Sequence, residues 1–194
     1  MNFYIADTHF GHNAVLKYDK RPFQTIEEME TLMVKSWNKA VRTSDTVYIL
    51  GDFCWQGAEE WLRLVKKLNG KKVLLKGNHD LKHFPEELQN KFIGIYDYLE
   101  VDDQGRKVIL SHYPILFYRR SNNPKYYMLC GHVHITAEND WLEKWTKELQ
   151  EAYTNDSDVA HAVHTGQIYN VGCMMPWMAY TPRTLDEILA FLQV

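Results

Sequence analysis

The sequence predicts an α/β fold. Short apolar segments rich in β-branched and aromatic residues alternate with longer segments whose apolar residues recur at helical spacing. The segment VDDQGRK at 101–107 is typical of a tight turn between two strands, so at least one antiparallel pair is expected. A length of 194 residues fits one domain over 1–194, within which we expect a helical insertion near 138–153.

The individual strands and helices follow from these patterns. Strands are predicted at 2–6, 46–50, 72–75, 107–110, 126–129 and 168–171. Helices are predicted over 25–41, 59–70, 140–153 and 184–192. The first of these helices begins with Thr25 and Glu28, which have the spacing of a capping box. A polar loop is predicted over 154–167, and we interpret its His161 and His164 as ordinary polar residues rather than ligands.

The third predicted helix carries a stripe of large apolar residues, Trp141, Trp145 and Leu149. Such a stripe is more often part of a core than a surface on which nucleobases stack, and we interpret it as core. The alternative is that the helix forms one wall of a substrate cleft, because it closely follows a pair of histidines in the sequence.

Composition and charge argue against several classes of protein. An apolar fraction of 45% and a charged fraction of 24% are ordinary for a soluble globular protein. A net charge of −3 argues against stable nucleic-acid binding, which usually needs a basic surface. Three unclustered cysteines suggest neither a disulfide framework nor a zinc knuckle. The N-terminus is unlike a signal peptide and no apolar run could cross a membrane, so we expect a cytoplasmic protein; oligomeric state is left open.

Side chains that can bind metal ions follow five of the predicted strands, each at its carboxyl end. These residues are Asp7, His9, Asp52, Asn78, His112, His132 and His134. In open α/β sheets the strand ends and the loops after them form a crevice in which ligands bind. Residues two apart in an extended segment point the same way, so each closely spaced pair can converge on one region. The sequence therefore predicts a metal site at the sheet edge.

The chemical types of these residues narrow the choice of metal ion. Imidazoles mixed with carboxylates and an amide oxygen suit transition metals better than Mg²⁺ or Ca²⁺. Seven candidates exceed the ligands that one zinc ion takes from protein, so we expect two divalent ions that share a bridging carboxylate. Manganese is expected first, with iron, zinc, cobalt or nickel as alternatives. Two such ions about 3.5–4 Å apart are typical of in-line displacement at phosphorus. His79 is left over, between Asn78 and Asp80, and is placed to act as general acid or to stabilise the leaving group.

The order of these motifs resembles that of the calcineurin-like metallophosphoesterase superfamily. The motifs are DTH at 7–9, GD at 51–52, GNHD at 77–80, His112 and GHVH at 131–134. The resemblance implies a sandwich of two mixed β-sheets flanked by helices, with a di-metal site at the sheet edges. It implies a single metallophosphoesterase domain and places the chain in the compact bacterial or phage-type branch.

The resemblance also implies a role for each residue. The first ion is bound by Asp7, His9, Asp52 and His134. Asp52 bridges to the second ion, whose other ligands are Asn78, His112 and His132. His79 is implied to be the catalytic histidine and Asp80 the residue that orients it.

Departures from the protein phosphatases of that superfamily narrow the substrate. Those enzymes carry GD-x-x-DRG and GNHE, whereas this chain has GDFCWQG at 51–57 and GNHD at 77–80. We therefore expect a phosphodiester or a small nucleotide-like phosphate ester as substrate. The alternatives are a phosphomonoesterase and a non-catalytic metal-binding scaffold of the same fold.

Two further residues are candidate substrate contacts. His12 lies close to the ligand motifs in HFGHN, with a helix-capping role or support of a ligand as the alternative. The guanidinium of Arg21 suits phosphate oxygens, with a salt-bridged structural arginine as the alternative.

Overall fold

The computed structural model describes residues 1–155 and 164–192. The strands are β1 (Asn2–Ile5), β2 (Thr46–Leu50), β3 (Lys71–Leu75), β4 (Phe92–Tyr96), β5 (Tyr98–Asp103), β6 (Arg106–Ser111), β7 (Tyr126–Cys130) and β8 (Ile168–Asn170). The helices are α1 (Val15–Tyr18), α2 (Ile26–Ala40), α3 (Ala58–Lys67), α4 (Glu86–Gln89), α5 (Ala137–Asn155) and α6 (Leu185–Leu192). Much of the predicted 154–167 loop, His161 included, lies outside the described residues.

The strands form two four-stranded sheets, each in sequential order. The first, β1-β2-β3-β4, is parallel throughout. The second, β5-β6-β7-β8, joins an antiparallel β5–β6 hairpin to parallel pairs. The hairpin turn has positive φ at Gln104 and Gly105, as a two-residue turn between twisted strands requires. Two sheets flanked by helices confirm the predicted fold class, although only the second of the described sheets is mixed.

The apolar residues fill two cores on opposite faces of the second sheet. Val108 and Leu110 lie in a large core shared with the first sheet, whereas the intervening Ile109 belongs to a smaller core. This alternation is what the period of two along a strand dictates. Helices α2 and α3 bury Trp37 and Trp61 in the large core. Truncating a buried tryptophan typically costs about 3–5 kcal/mol, so these two residues hold the helices against the sheet.

Helix α5 covers the smaller core with only part of its predicted stripe. Leu142 is buried there and Trp145 packs against it. Trp141 is 69% exposed, so its interpretation as a core residue is wrong. The helix coincides with the segment expected to be an insertion near 138–153, and its origin as an insertion stays a prediction. None of the described helices is both long and apolar enough to span a lipid bilayer.

The two sheets are joined where β1 and β8 end. The N–H of Ala6 donates to the carbonyl of Val171 at 2.8 Å, and the carbonyl of Ala6 accepts from the N–H of Cys173 at 2.8 Å. Behind this junction the buried Tyr4 hydroxyl donates to the Asp103 carboxylate at 2.9 Å. The junction brings the carboxyl ends of strands from both sheets to one edge of the molecule.

Candidate metal centre

The predicted ligands lie on loops with an unusual backbone. Positive φ angles occur at Asp7 (53°), His9 (49°), Asp52 (49°), His132 (71°) and His134 (45°). Non-glycine residues rarely adopt this conformation, because Cβ approaches the carbonyl oxygen, and each instance costs roughly 1–3 kcal/mol. Hydrogen bonds between the loops offset this cost: the N–H of Asp7 donates to Gly51 and that of His9 to Asp52, at 3.1 and 2.9 Å.

Two glycines allow the loops to approach the buried carboxylates. A Cβ at Gly77 would collide with the carboxylate of Asp52, and one at Gly131 would come within 2.5 Å of Asp7 Oδ2. Because the glycines have no side chain, backbone N–H groups that follow them in the sequence can reach the carboxylates and donate hydrogen bonds. The N–H of His79 donates to Asp52 Oδ1 at 2.9 Å, and that of His132 donates to Asp7 Oδ2 at 3.0 Å.

One group of candidate ligands is fully assembled. The nearest ligand atoms of Asp7, His9, Asp52 and His134 all lie within 4.8 Å of one another. The Nε2 atoms of His9 and His134 are 3.3 Å apart, and His9 Nε2 is 3.6 Å from Asp52 Oδ2. Two imidazole nitrogens and two carboxylates facing one point make a donor set suited to a divalent transition metal. These are the four residues predicted for the first ion.

A second group shares Asp52 with the first. The Oδ1 atom of Asn78 lies 3.0 Å from both His112 Nε2 and His132 Nδ1. His112 Nε2 is also 3.7 Å from Asp52 Oδ2. Because His112 Nδ1 lies 2.8 Å from the carbonyl of Leu50, which can only accept, Nδ1 carries the proton and Nε2 offers its lone pair. The four residues predicted for the second ion therefore lie together.

Asp19 supports the first group by accepting a hydrogen bond from His134. It was not among the residues predicted from the sequence. His134 Nδ1 donates to its carboxylate at 2.7 Å, which turns His134 Nε2 towards Asp7 at 3.6 Å. A carboxylate behind a ligand histidine fixes the tautomer and strengthens the ligand. Its only signal in the sequence is its place in YDKRPF, two residues before Arg21.

Arg21 is a structural residue in this fold. Its side chain is buried and donates to the carboxylate of Asp19 and to the carbonyls of Thr8 (3.1 Å) and Asp7 (2.9 Å). The prediction that Arg21 contacts substrate is therefore wrong, because its guanidinium holds the loop that carries Asp7. The alternative of a salt-bridged arginine describes it correctly.

Asp80 supports the backbone rather than the imidazole of His79. Its Oδ1 accepts from the N–H of Phe53 at 2.9 Å, and its Oδ2 accepts from Gly77 at 2.8 Å and Asp52 at 3.2 Å. Burial raises the pKa of Asp80 to about 6 in spite of these donors. The predicted role of Asp80 in orienting the His79 ring is therefore wrong: it fixes the loop that presents Asn78 and His79.

His79 is exposed at the cleft and lies beside an aromatic residue that was not predicted. Its ring centre is 4.7 Å from that of Trp55 and 6.1 Å from that of His9. His12 stacks flat on Trp55 at 3.7 Å, with its Nδ1 atom 3.4 Å from His9 Nδ1. His12 thus borders the site, and its contact with substrate stays a prediction. Trp55 occupies the second aspartate position of the GD-x-x-DRG pattern.

Burial and neighbouring charges shift the pKa values of the ligands. Burial raises the pKa of Asp7 to about 7. Burial and the nearby His134 lower the pKa of His9 to about 2, so its nitrogen is available as a ligand. For His134 burial acts to lower the pKa, but the hydrogen bond to Asp19 and the charge of Asp7 outweigh it and raise the value.

A model of the calcineurin-like phosphoesterase family matches residues 3–181. The chain belongs to this family. An uncharacterised family relative from Methanocaldococcus jannaschii is 36% identical over 132 residues, which are 67% of each chain. The Gene 66 protein of Mycobacterium phage L5 is 30% identical over 96 residues, which are 48% of this chain and 46% of the phage protein.

A solved structure shares the whole fold. The crystal structure of a protein of unknown function from Aquifex aeolicus superposes with a TM-score of 0.65 at 26% identity, and covers 98% of both chains. The two sheets and flanking helices described above are thus found in a second protein, and they are consistent with the fold of the family to which the chain belongs.

Asp19→Asn should weaken metal binding at the first ligand group. The amide cannot hold the His134 tautomer as a carboxylate does, so we expect Mn²⁺ affinity to fall roughly 10- to 100-fold in calorimetric titrations of chelator-stripped protein. Asp97→Asn is the matched control, because Asp97 is exposed and pairs with Lys76. Unchanged affinity in a folded Asp19→Asn protein would contradict the assigned role.

Metal affinity should fall as pH decreases through neutrality. A cation at the first group must displace the protons of Asp7, whose pKa is about 7, and of His134, whose pKa is also raised. Below the pKa of Asp7, about 7, protons compete with the metal, and above it the carboxylate is ready to bind; the raised pKa of His134 acts in the same direction. Titrations at about pH 6 and about pH 8, in buffers of different ionisation enthalpy, should show weaker binding and larger proton release at the lower pH. Equal affinities would refute the protonation scheme.

Proposed function

We propose that this phosphoesterase uses two divalent ions to hydrolyse a phosphodiester or a small nucleotide-like phosphate ester. The observation that carries the proposal is the pair of ligand groups that share Asp52. The donor set suits Mn²⁺, with iron, zinc, cobalt or nickel as alternatives. When bound, such ions supply Lewis-acid chemistry, which polarises a phosphoryl oxygen and lowers the pKa of water.

His79 is the residue best placed to move a proton. It lines the same cleft as His9, Asp52 and His132, a cavity of about 370 Å³. Among the described residues none hydrogen-bonds to its ring, while its backbone N–H is held by Asp52. An exposed imidazole at this position can protonate the leaving oxygen of a phosphate ester.

The charge of the residues that line the cleft supports a phosphodiester as the substrate. Of the described residues that line it, none is lysine or arginine. Arg21, the arginine predicted to contact substrate, is buried and paired with Asp19. A diester carries less negative charge than a monoester, so it needs fewer cationic side chains beyond the metal ligands.

Two alternative functions remain as hypotheses. The first is a phosphomonoesterase, and the second is a non-catalytic metal-binding scaffold. The presence of His79 together with every predicted ligand supports an enzyme over a scaffold. A small phosphate ester as the bound partner, without stable nucleic-acid or membrane association, and a cytoplasmic location stay predictions.

The function is tested by comparing two chromogenic esters. Chelator-stripped protein with Mn²⁺ restored should hydrolyse bis-p-nitrophenyl phosphate faster than p-nitrophenyl phosphate. Asp52→Asn, which alters the shared ligand, should lose both metal binding and turnover. The reverse ester preference would indicate a phosphomonoesterase. Absence of turnover in protein that binds two ions would favour the scaffold.

His79→Ala should separate catalysis from metal binding. Because His79 is assigned to proton transfer rather than to ligation, turnover should fall roughly 10²- to 10⁴-fold while the metal content stays at the wild-type level. His83→Ala replaces an exposed histidine outside the cleft and should change neither. Metal loss in His79→Ala equal to the activity loss would show that His79 is a ligand.

A further inference from the structure

An apolar depression adjoins the metal cleft. It has a volume of about 500 Å³ and is lined mainly by apolar side chains, among them Tyr113, Trp141 and Trp145. We refer to it as the aromatic groove. Its volume is within the range of small-molecule sites. Trp141 is 69% and Tyr113 48% exposed, which is unusual for two large aromatic residues that line one surface depression.

The groove is continuous with the candidate metal centre. His132, Val133 and Glu138 line both the groove and the cleft. The ring of Tyr113 is 4.5 Å from that of His132 and 5.1 Å from that of His112, both of which belong to the second ligand group. The groove therefore begins at a candidate ligand, His132, and the organic part of a bound phosphate ester can extend into it.

We propose that the aromatic groove binds a planar aromatic ring of the substrate, of the size of a nucleobase, while the phosphate lies at the metal ligands. This inference rests on the proposed function. Tyrosine and tryptophan rings stack on planar rings, and such stacking tolerates different bases. Trp141 is the main stacking residue, because it is the most exposed ring of the groove.

The carboxylate of Glu138 favours a nitrogen-containing ring over an alkyl chain. Glu138 stands at the junction of the groove and the cleft. Its carboxylate oxygens can accept hydrogen bonds from N–H groups at the edge of a base. An alkyl chain offers no donor, and covering a carboxylate with one removes water without a replacement hydrogen bond.

The proposal is tested with two sugar phosphates, one of which carries a nucleobase and one of which does not. Adenosine 5′-monophosphate and ribose 5-phosphate share the sugar and the phosphate, so the ratio of their affinities for the Mn²⁺-loaded full chain isolates the base. We expect the nucleotide to bind roughly 5- to 100-fold more tightly in calorimetric titrations, the range of base–aromatic stacking. Trp141→Ala should abolish the ratio while ribose 5-phosphate affinity is unchanged, and Trp141→Phe should keep most of it. Phe191→Ala, an exposed aromatic on α6 outside the groove, should leave the ratio intact.

The other outcomes are distinguishable. Equal binding of the two phosphates, or a preference that survives Trp141→Ala, would refute the proposal that the aromatic groove binds a base. The proposed function would not be affected. Hexyl phosphate that gains as much affinity as the nucleotide, and loses it in Trp141→Ala, would make the groove an alkyl site and would also overturn the proposal. If neither sugar phosphate binds and the chromogenic diester is not hydrolysed, the proposed function fails, and the groove proposal fails with it.

Discussion

The buried carboxylate of Asp52 is the point on which the site depends. It lies in both ligand groups, and it is placed by contacts from two other segments of the chain, the loop after β1 and the loop after β3. Its N–H is held by Asp80, its carbonyl accepts from His9, and its side chain accepts from the N–H of His79. Burying carboxylates close together is unfavourable unless charge compensates. Among the described residues Arg21 compensates Asp19, whereas Asp7 and Asp52 are bordered by imidazoles and accept hydrogen bonds from backbone N–H groups. Such a cluster of carboxylates and imidazoles suits a divalent cation, which would compensate the buried charge.

The fold makes that placement possible through its strand ends. Two parallel sheet regions end at one edge, and hydrogen bonds from Ala6 to residues after β8 join the sheets there. The short loops that follow adopt left-handed backbone at several ligands and bring glycines against carboxylates. Strain of this kind persists only where surrounding hydrogen bonds over-determine the conformation. The geometry of the centre therefore depends on the hydrogen bonds between all of these loops. This explains why Arg21 and Asp80 form hydrogen bonds with backbone groups of the ligand loops.

What the sequence predicted, and what it did not, follows from the range of the interactions involved. The helices α2 and α3 were predicted because their apolar spacing is local, and the ligand positions because strand ends of an α/β sheet meet at one edge. Strand β4 was not predicted, since Gly94 interrupts its apolar run and Ile93 is 60% exposed at a sheet edge. The partners of Asp19 and Asp80 are set by tertiary contacts, so spacing along the chain could not assign them. Trp141 followed the helical pattern, yet its side chain is 69% exposed, because no other described helix or strand packs over it.

The proposed recognition of an ester would involve two kinds of surface in the cleft, the metal ligands and the aromatic residues beside them. In the GD-x-x-DRG pattern an aspartate and an arginine stand where this chain has Trp55 and Gln56. Trp55 stacks on His12 beside His79, and Gln56 packs so closely against Gly11 that a side chain there would collide with it. The exchange replaces two charged groups with an aromatic ring and an amide. Under the proposed function, a site with fewer fixed charges would hold phosphate mainly through bound metal ions and would select among phosphate esters by the shape and polarity of their organic groups. Under the proposed function, Trp55 and the aromatic groove would contribute to that selection.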